Sequence, residues 1–305
     1  MAETVLQINK LTKNFGKLCA VNQLDLEVKR GQVFGMLGPN GSGKTTTLGM
    51  LMGVTNPSSG SFSWFGEPST HFTRKKIGAV LEHPIFYPYL SGQKNLELNA
   101  MIKGANPANI AKVLDIVELS ARKDDKYRTY SLGMKQRLAI ASALVSDPII
   151  LILDEPTNGL DPMGIAEIRE IVKRIAADGK TIILASHLLD EVQKVCTHFA
   201  VLRRGKLMHS GPVDEVGKGE ETVEVMAHLA NGQAYQDDLS VLLQQFVGSA
   251  TIKKENGIFQ VMMKDGFHSQ DLNKFLFEKG IISSHLVTKK KTLERQFLEI
   301  LAEAH

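Results

Sequence analysis

Hydrophobic spacing changes character several times along this chain, and each change marks an element. Leu24-Asp25-Leu26-Glu27-Val28 alternates completely. In Val5-Leu6-Gln7-Ile8-Asn9, Leu6 and Ile8 share one face while Gln7 and Asn9 share the other. A period of two predicts half-buried strands. Between them Lys13 to Lys17 reads as a turn that carries one aromatic, Phe15. Gln32 to Leu37 is continuously apolar after its first residue and reads as a buried strand. A helical stretch from Thr46 to Met52 follows, then the turn cluster Thr55 to Gly60. Ser61 to Phe65 and Ile77 to Leu81 read as further strands.

From Ser91 to about Val145 the period becomes helical. Asn95–Ile102, Asn106–Val117 and Gly133–Val145 place apolar residues at three- and four-residue steps. Pro148 to Leu153 returns to buried strand. A helix over Gly164–Ala177, a strand over Thr181–Ala185 and a helix over Leu188–Cys196 come next. Phe199–Leu202 and Lys206–His209 form a hairpin around Arg203-Arg204-Gly205. Apolar strands separated by helices predict a parallel sheet covered on both faces. Past Gly211-Pro212 the order is strand, helix, two strands around Glu255-Asn256-Gly257, helix and strand, with a last helix over Thr292–Ala304. That βαββαβ order is the split, ferredoxin-like pattern. The Met and Phe residues of this tail read as its core.

Composition narrows the picture. The chain has 305 residues, enough for one large and one smaller domain. Its net charge is +3, from 36 basic and 33 acidic residues, and Lys289-Lys290-Lys291 reads as a solvated strand end. Nothing there argues for a nucleic-acid partner. Cys19 and Cys196 lie far apart without metal-ligand spacing, which predicts free thiols in a reducing compartment. Met1 to Lys10 has no apolar signal core. The longest apolar run, about Ile149 to Leu153, is far below the roughly 18–20 residues that cross a bilayer.

The chemistry starts where the first buried strand meets the helix after it. Gly38-Pro39-Asn40-Gly41-Ser42-Gly43-Lys44-Thr45-Thr46 fills every fixed position of G-x-x-x-x-G-K-[ST]. The glycines let consecutive amides converge on phosphate oxygens, and the helix start adds its positive end. Lys44 supplies a point charge to β- and γ-phosphates, and the Thr45 hydroxyl is an oxygen ligand for Mg²⁺. A second apolar strand, Ile149 to Leu153, ends in Asp154-Glu155. Beside a phosphate loop, Asp154 suits holding Mg²⁺ through its water shell. Glu155 suits accepting a proton from the attacking water.

Between the two lies Tyr130-Ser131-Leu132-Gly133-Met134-Lys135-Gln136-Arg137-Leu138, which resembles the L-S-G-G-Q signature of the ABC ATPase superfamily. Gly159-Leu160-Asp161-Pro162 looks like that family's D-loop, and His187, after an apolar strand, looks like its switch histidine. Phe15 stands 29 positions before Lys44, where the family places an adenine-stacking aromatic. The resemblance covers roughly residues 3–212. It implies an α/β fold, a P-loop ABC ATPase domain over 1–212. That domain would have a RecA-like core, an antiparallel β subdomain and an inserted helical subdomain at about 83–145. A small α+β ferredoxin-like accessory domain would follow over 213–305. It further implies ATP and Mg²⁺ as cofactors, Lys44, Glu155 and His187 as catalytic groups, and a head-to-tail pair of subunits. In that pair the P-loop of one copy faces Ser131 and Gly133 of the other, and Asp161 links the sites.

The wording of the signature, with Leu132 in place of the first glycine, is similar to ATP-binding subunits of bacitracin-resistance and lantibiotic-immunity exporters. So is the tail, Thr292 to Glu299 included. Most proteins of the superfamily carry glutamine after the strand ending at Leu81, whereas this chain has Glu82, as the lantibiotic-immunity ATPases do. Glu82 offers a metal a charged oxygen in place of a neutral one. The expectation is therefore an exporter ATPase, peripheral on the cytoplasmic face of the membrane. Separate transmembrane subunits would dock near Glu82 and the run Phe86-Tyr87-Pro88-Tyr89. Two readings stay open beside it: a soluble ABC ATPase acting on nucleic acid or ribosomes, and a nucleotide-dependent regulator of low turnover.

Overall fold

The computed structural model describes residues 3–81, 86–215, 221–229, 239–255, 258–264 and 266–290. The chain divides into two compact units after Val213.

The first unit opens with a long hairpin, β1 (Thr4–Phe15) and β2 (Leu18–Lys29). Both strands run further than the alternation suggests, and the turn shrinks to Gly16-Lys17. Register shifts interrupt the pairing between Ile8 and Leu11 and again near Lys13. Lys10 and Gln23 take positive φ. Such bulges break a period of two without ending a strand, so strict alternation stops too early. β3 (Val33–Leu37), wholly buried, leads to α1 (Lys44–Leu51). β4 (Ser59–Trp64) and β5 (Glu67–Pro68) complete an antiparallel sheet of order β2-β1-β4-β5. The short α2 (His71–Arg74), capped reciprocally by Thr70 and Thr73, has no counterpart in the sequence reading. Four residues are too few to show a period.

β6 (Ile77–Val80) enters the second sheet. The helical stretch then gives α3 (Gly92–Lys103), α4 (Asn109–Ile116) and α5 (Leu132–Leu144). β7 (Ile150–Asp154), α6 (Pro162–Ala177), β8 (Thr181–Ser186), α7 (Leu189–Val195), β9 (His198–Arg203) and β10 (Lys206–Pro212) complete the unit. The sheet order is β10-β9-β3-β8-β7-β6, parallel except for the β9–β10 hairpin. A core cluster unites the inner faces of both sheets with Leu48, Met50 and Leu51 of α1. Parallel strands point the same way, so the loops after β3, β7 and β8 emerge on one edge. Ligands bind at such carboxyl ends in open α/β sheets.

The second unit contains β11 (Glu221–Leu229), α8 (Leu239–Gln245), β12 (Ser249–Glu255), β13 (Ile258–Met263), α9 (Ser269–Glu278) and β14 (Ile281–Lys290). Its sheet runs β12-β13-β11-β14, all antiparallel, which is the ferredoxin-like arrangement. Val223, Val225, Phe259, Val261 and Met263 pack on Leu243, Leu272 and Leu276. Phe277 and Met226 depart from the expected core role and face solvent. The turn residues Asn256 and Gly257 and the expected closing helix from Thr292 lie outside the described residues. Among those described, no helix is long and apolar enough to cross a membrane.

Candidate functional site

The loop between β3 and α1 is built by close backbone approach. Gly38 donates its N–H to Ser186 O at 3.3 Å. A Cβ at Gly38 would lie 2.3 Å from Leu202 O and 2.6 Å from Ser42 Oγ, so no other residue fits without displacement. Gly43 takes φ +104° at the start of α1, and a Cβ there would meet Ala20 O at 2.6 Å. Gly205 N–H closes the loop onto Ser42 O at 3.0 Å. Ser42 is buried inside the loop, while Pro39, Asn40, Gly41 and Thr45 are exposed along it and Thr46 is half-buried. α1 begins without a capping side chain or an acidic residue in its first turn. Its leading amides therefore favour an anion.

Lys44 is only 5% exposed. Its Nζ donates to Gly38 O at 2.7 Å and lies 3.2 Å from Glu155 Oε1. The other carboxylate oxygen, Glu155 Oε2, is 2.7 Å from His187 Nδ1. One carboxylate thus touches a cation from the first residue of α1 and an imidazole from the loop after β8. Glu155 itself has φ +47°, a conformation rare outside glycine and common at functional positions. Its N–H, donated to Ala185 O at 2.9 Å, ties the turn to β8. Residue pattern alone does not reveal that backbone strain.

Asp154 sits buried at the end of β7. The described residues hold no cluster of His, Cys, Asp and Glu able to retain a metal by themselves. The Thr45 hydroxyl and the Asp154 carboxylate are hard oxygen donors, few in number. That donor set suits an ion such as Mg²⁺, which keeps waters and shares phosphate oxygens.

The remaining expected residues stand on other elements, and no hydrogen bond or ion pair among those described joins them to Lys44, Glu155 or His187. Ser131 caps α5, its Oγ accepting Met134 N–H at 3.2 Å, and open space surrounds Gly133. Both belong to the helical part. Asp161 caps α6 by accepting Gly164 N–H at 2.8 Å. Leu132 is half-exposed and reaches towards Gly159, with its Cδ2 3.4 Å from where a Cβ of that glycine would be. Phe15 is 51% exposed under Lys13 Nζ, which lies 4.9 Å from the ring centre. It is a surface aromatic. The expected docking run splits: Tyr87 and Tyr89 are exposed, whereas Phe86 is buried with its ring 5.1 Å from that of Tyr127. Phe86 is buried against Tyr127, whose ring in turn lies 6.0 Å from that of Tyr130. Glu82 lies outside the described residues.

Two polar residues escaped the sequence reading. Thr157 and Glu191 are both buried, and their side chains are hydrogen-bonded to each other. An acidic residue in the first turn of a helix reads as dipole compensation, so nothing in the pattern singles out Glu191.

Comparison with known proteins gives the family. A sequence profile for the ABC transporter family matches residues 21–158. The bacitracin transport ATP-binding protein BcrA of Bacillus licheniformis is 37% identical over 306 residues, covering 98% of this chain and 97% of that one. The lantibiotic transport ATP-binding protein SrtF of Streptococcus pyogenes is 36% identical over 220 residues, covering 72% of this chain and 94% of that one. Among solved structures, cbiO1 of Clostridium perfringens, part of an ABC transporter complex, superposes with a TM-score of 0.65. It is 31% identical and covers 70% of this chain and 90% of its own. The chain belongs to the ATP-binding proteins of ABC transporters. It is an ATPase whose hydrolysis is coupled to transport.

Proposed function

We propose that this chain is the ATP-hydrolysing subunit of an exporter of an antibiotic, peptide, lipid or similar compound. It works as a head-to-tail pair at the cytoplasmic face of a membrane, beneath separate transmembrane subunits. The observation that carries the reading is Glu155 held between Lys44 and His187. The names of the relatives support the cargo class.

The residues divide the work as follows. A triphosphate entering the loop from Gly38 to Thr46 meets the amides at the start of α1 and competes with Glu155 for Lys44 Nζ. Release of Lys44 leaves Glu155 free to accept a proton from the attacking water. His187 orients that carboxylate and the γ-phosphate. Thr45 and Asp154 would hold Mg²⁺, which would supply charge neutralisation at the phosphates. Phe15, exposed, stacks on the adenine. Ser131 and Gly133 of a second copy complete the site by offering the start of α5 to the γ-phosphate, and Asp161 communicates between the two sites. Glu82 adds a charged oxygen near the metal and couples it to the membrane partner, which docks against Tyr87 and Tyr89. A Glu82→Gln variant with unchanged Mg²⁺ dependence and partner-stimulated rate would overturn that last role.

The test is phosphate release by the parent and by Glu155→Gln after purification from membranes. The reading expects a magnesium-dependent rate in the parent, its loss in the variant, and transmembrane subunits carried along by both. Equal rates in the two proteins, or no transmembrane partner, would overturn it.

A further inference from the structure

The strongest polar feature not used by the reaction lies directly behind the site. Glu191, on the first turn of α7, is 2% exposed. Its two carboxylate oxygens accept from two hydroxyls, one at the end of β8 and one in the turn after β7. Oε2 accepts from Ser186 Oγ at 2.5 Å, and Oε1 accepts from Thr157 Oγ1. Ser186 is wholly buried and Thr157 nearly so. The proton positions follow from the third contact. Ser186 Oγ accepts the N–H of Leu188 at 3.0 Å, so its own hydrogen is free for Glu191. A buried carboxylate is costly unless its oxygens are satisfied; here each has a donor.

The two hydroxyls sit at telling places in the chain. Thr157 stands two residues after Glu155, in the turn that gives Glu155 its positive φ. Ser186 stands immediately before His187, at the end of β8, and its carbonyl accepts the N–H of Gly38. One carboxylate therefore ties the turn of the proton acceptor to the end of β8, where the histidine follows.

We propose that Glu191 is a positioning residue for hydrolysis: by clamping Thr157 to Ser186 it holds the Glu155–His187 pair in register. This inference rests on the roles given to Glu155 and His187 above. The clamp touches neither nucleotide nor water, so its effect is on rate and not on ATP affinity. Misplacement of about 1 Å in a reacting pair lowers rates by about a hundredfold.

The experiment uses the full chain with Glu191→Ala, Glu191→Gln and the pair Thr157→Val with Ser186→Ala. Steady-state phosphate release and binding of a fluorescent ATP analogue are measured on each, and His187→Ala serves as the second background. Glu191→Ala is expected to lower kcat ten- to a hundredfold while the ATP dissociation constant stays within twofold. Glu191→Gln keeps an acceptor and an amide donor, which the hydroxyls can meet by rotating, and is expected to recover most of the rate. In the His187→Ala background, Glu191→Ala is expected to cost under threefold, because the pair it aligns is already broken. A folded, ATP-binding Glu191→Ala with the parent kcat overturns the proposal, as does a loss of equal size in both backgrounds. Should Glu191→Ala fail to fold, the Thr157→Val, Ser186→Ala pair decides by the same criteria. If His187→Ala and Glu155→Gln alone leave kcat unchanged, the underlying catalytic assignment fails instead.

Discussion

Replacing Gly38 by alanine adds a single methyl group at the point where the phosphate loop leaves β3. That methyl would lie 2.3 Å from Leu202 O and 2.6 Å from Ser42 Oγ. Leu202 is in β9, which is held beside β3 by parallel pairing that includes Leu37 opposite Val201. The carbonyl cannot rotate away as a side chain would. To reach the 3.0 Å that real contacts respect, backbone and methyl must separate by about 0.7 Å. Overpacking of that kind costs about 1–3 kcal/mol. For a domain of this size each kcal/mol lowers Tm by about 2–4 °C, so Gly38→Ala should melt about 2–12 °C below the parent. The same shift displaces Gly38 O, which holds Lys44 Nζ at 2.7 Å, and Gly38 N, which holds the end of β8. ATP affinity should fall by at least about tenfold, equivalent to about 1.4 kcal/mol. Gly41→Ala is the contrast. Its Cβ meets nothing within 4 Å, although φ is +77°, so only backbone strain of about 1–2 kcal/mol applies. Differential scanning calorimetry and binding of a fluorescent ATP analogue measure both variants. Parent-like melting and affinity in Gly38→Ala would refute the claim that close approach at this residue shapes the loop.

Other expected outcomes follow from single contacts. Glu155→Gln should lower phosphate release by about 10²–10⁴-fold, the range for loss of a general base, without weakening ATP binding. Phe15→Ala should raise KM for ATP and leave Tm unchanged, since the ring is half exposed; an unchanged KM would remove Phe15 from the site. Asn95 is buried, its Oδ1 accepts Tyr87 N–H at 2.8 Å, and its Nδ2 donates to Tyr87 O and Ser91 O. Asn95→Ala should destabilise by about 1–3 kcal/mol in denaturant unfolding by stranding those groups, and should weaken binding of the transmembrane subunits by loosening the loop of Tyr87 and Tyr89. Burial, with the Glu191 charge as a lesser cause, pushes the Cys196 thiol up to about 12. The unfolded thiol ionises near its ordinary value of about 8.5 while the folded one keeps its proton. Folding stability should therefore fall as pH rises from about 9 towards 12, a slope that Cys196→Ala removes in urea titrations. In the native protein, exposed Cys19 should alkylate readily and Cys196 only on unfolding.

Much of this molecule is legible in its sequence. The phosphate loop and the carboxylates after β7 announce themselves by fixed spacing between apolar strands. The helical stretch announces itself by period, and the tail by its order of elements. What stayed hidden depends on three-dimensional approach. The bulges at Lys10 and Gln23 erase alternation inside strands that continue through them. Phe86 and Tyr87 are neighbours of the same apolar type, yet Tyr127 lies beneath only the former. The positive φ of Glu155 and the two hydroxyls on Glu191 join residues up to 34 positions apart, and no local pattern encodes them.

In the proposed pair, Lys44, Glu155 and His187 form half of a site that a second copy completes through Ser131 and Gly133. Light scattering of Glu155→Gln with saturating ATP and Mg²⁺ tests it most directly. A particle of twice the mass of one chain is expected, reverting to a single chain when Ser131→Arg is added to block the paired surface. A single chain at every ATP concentration, from a variant that demonstrably binds ATP, would contradict it.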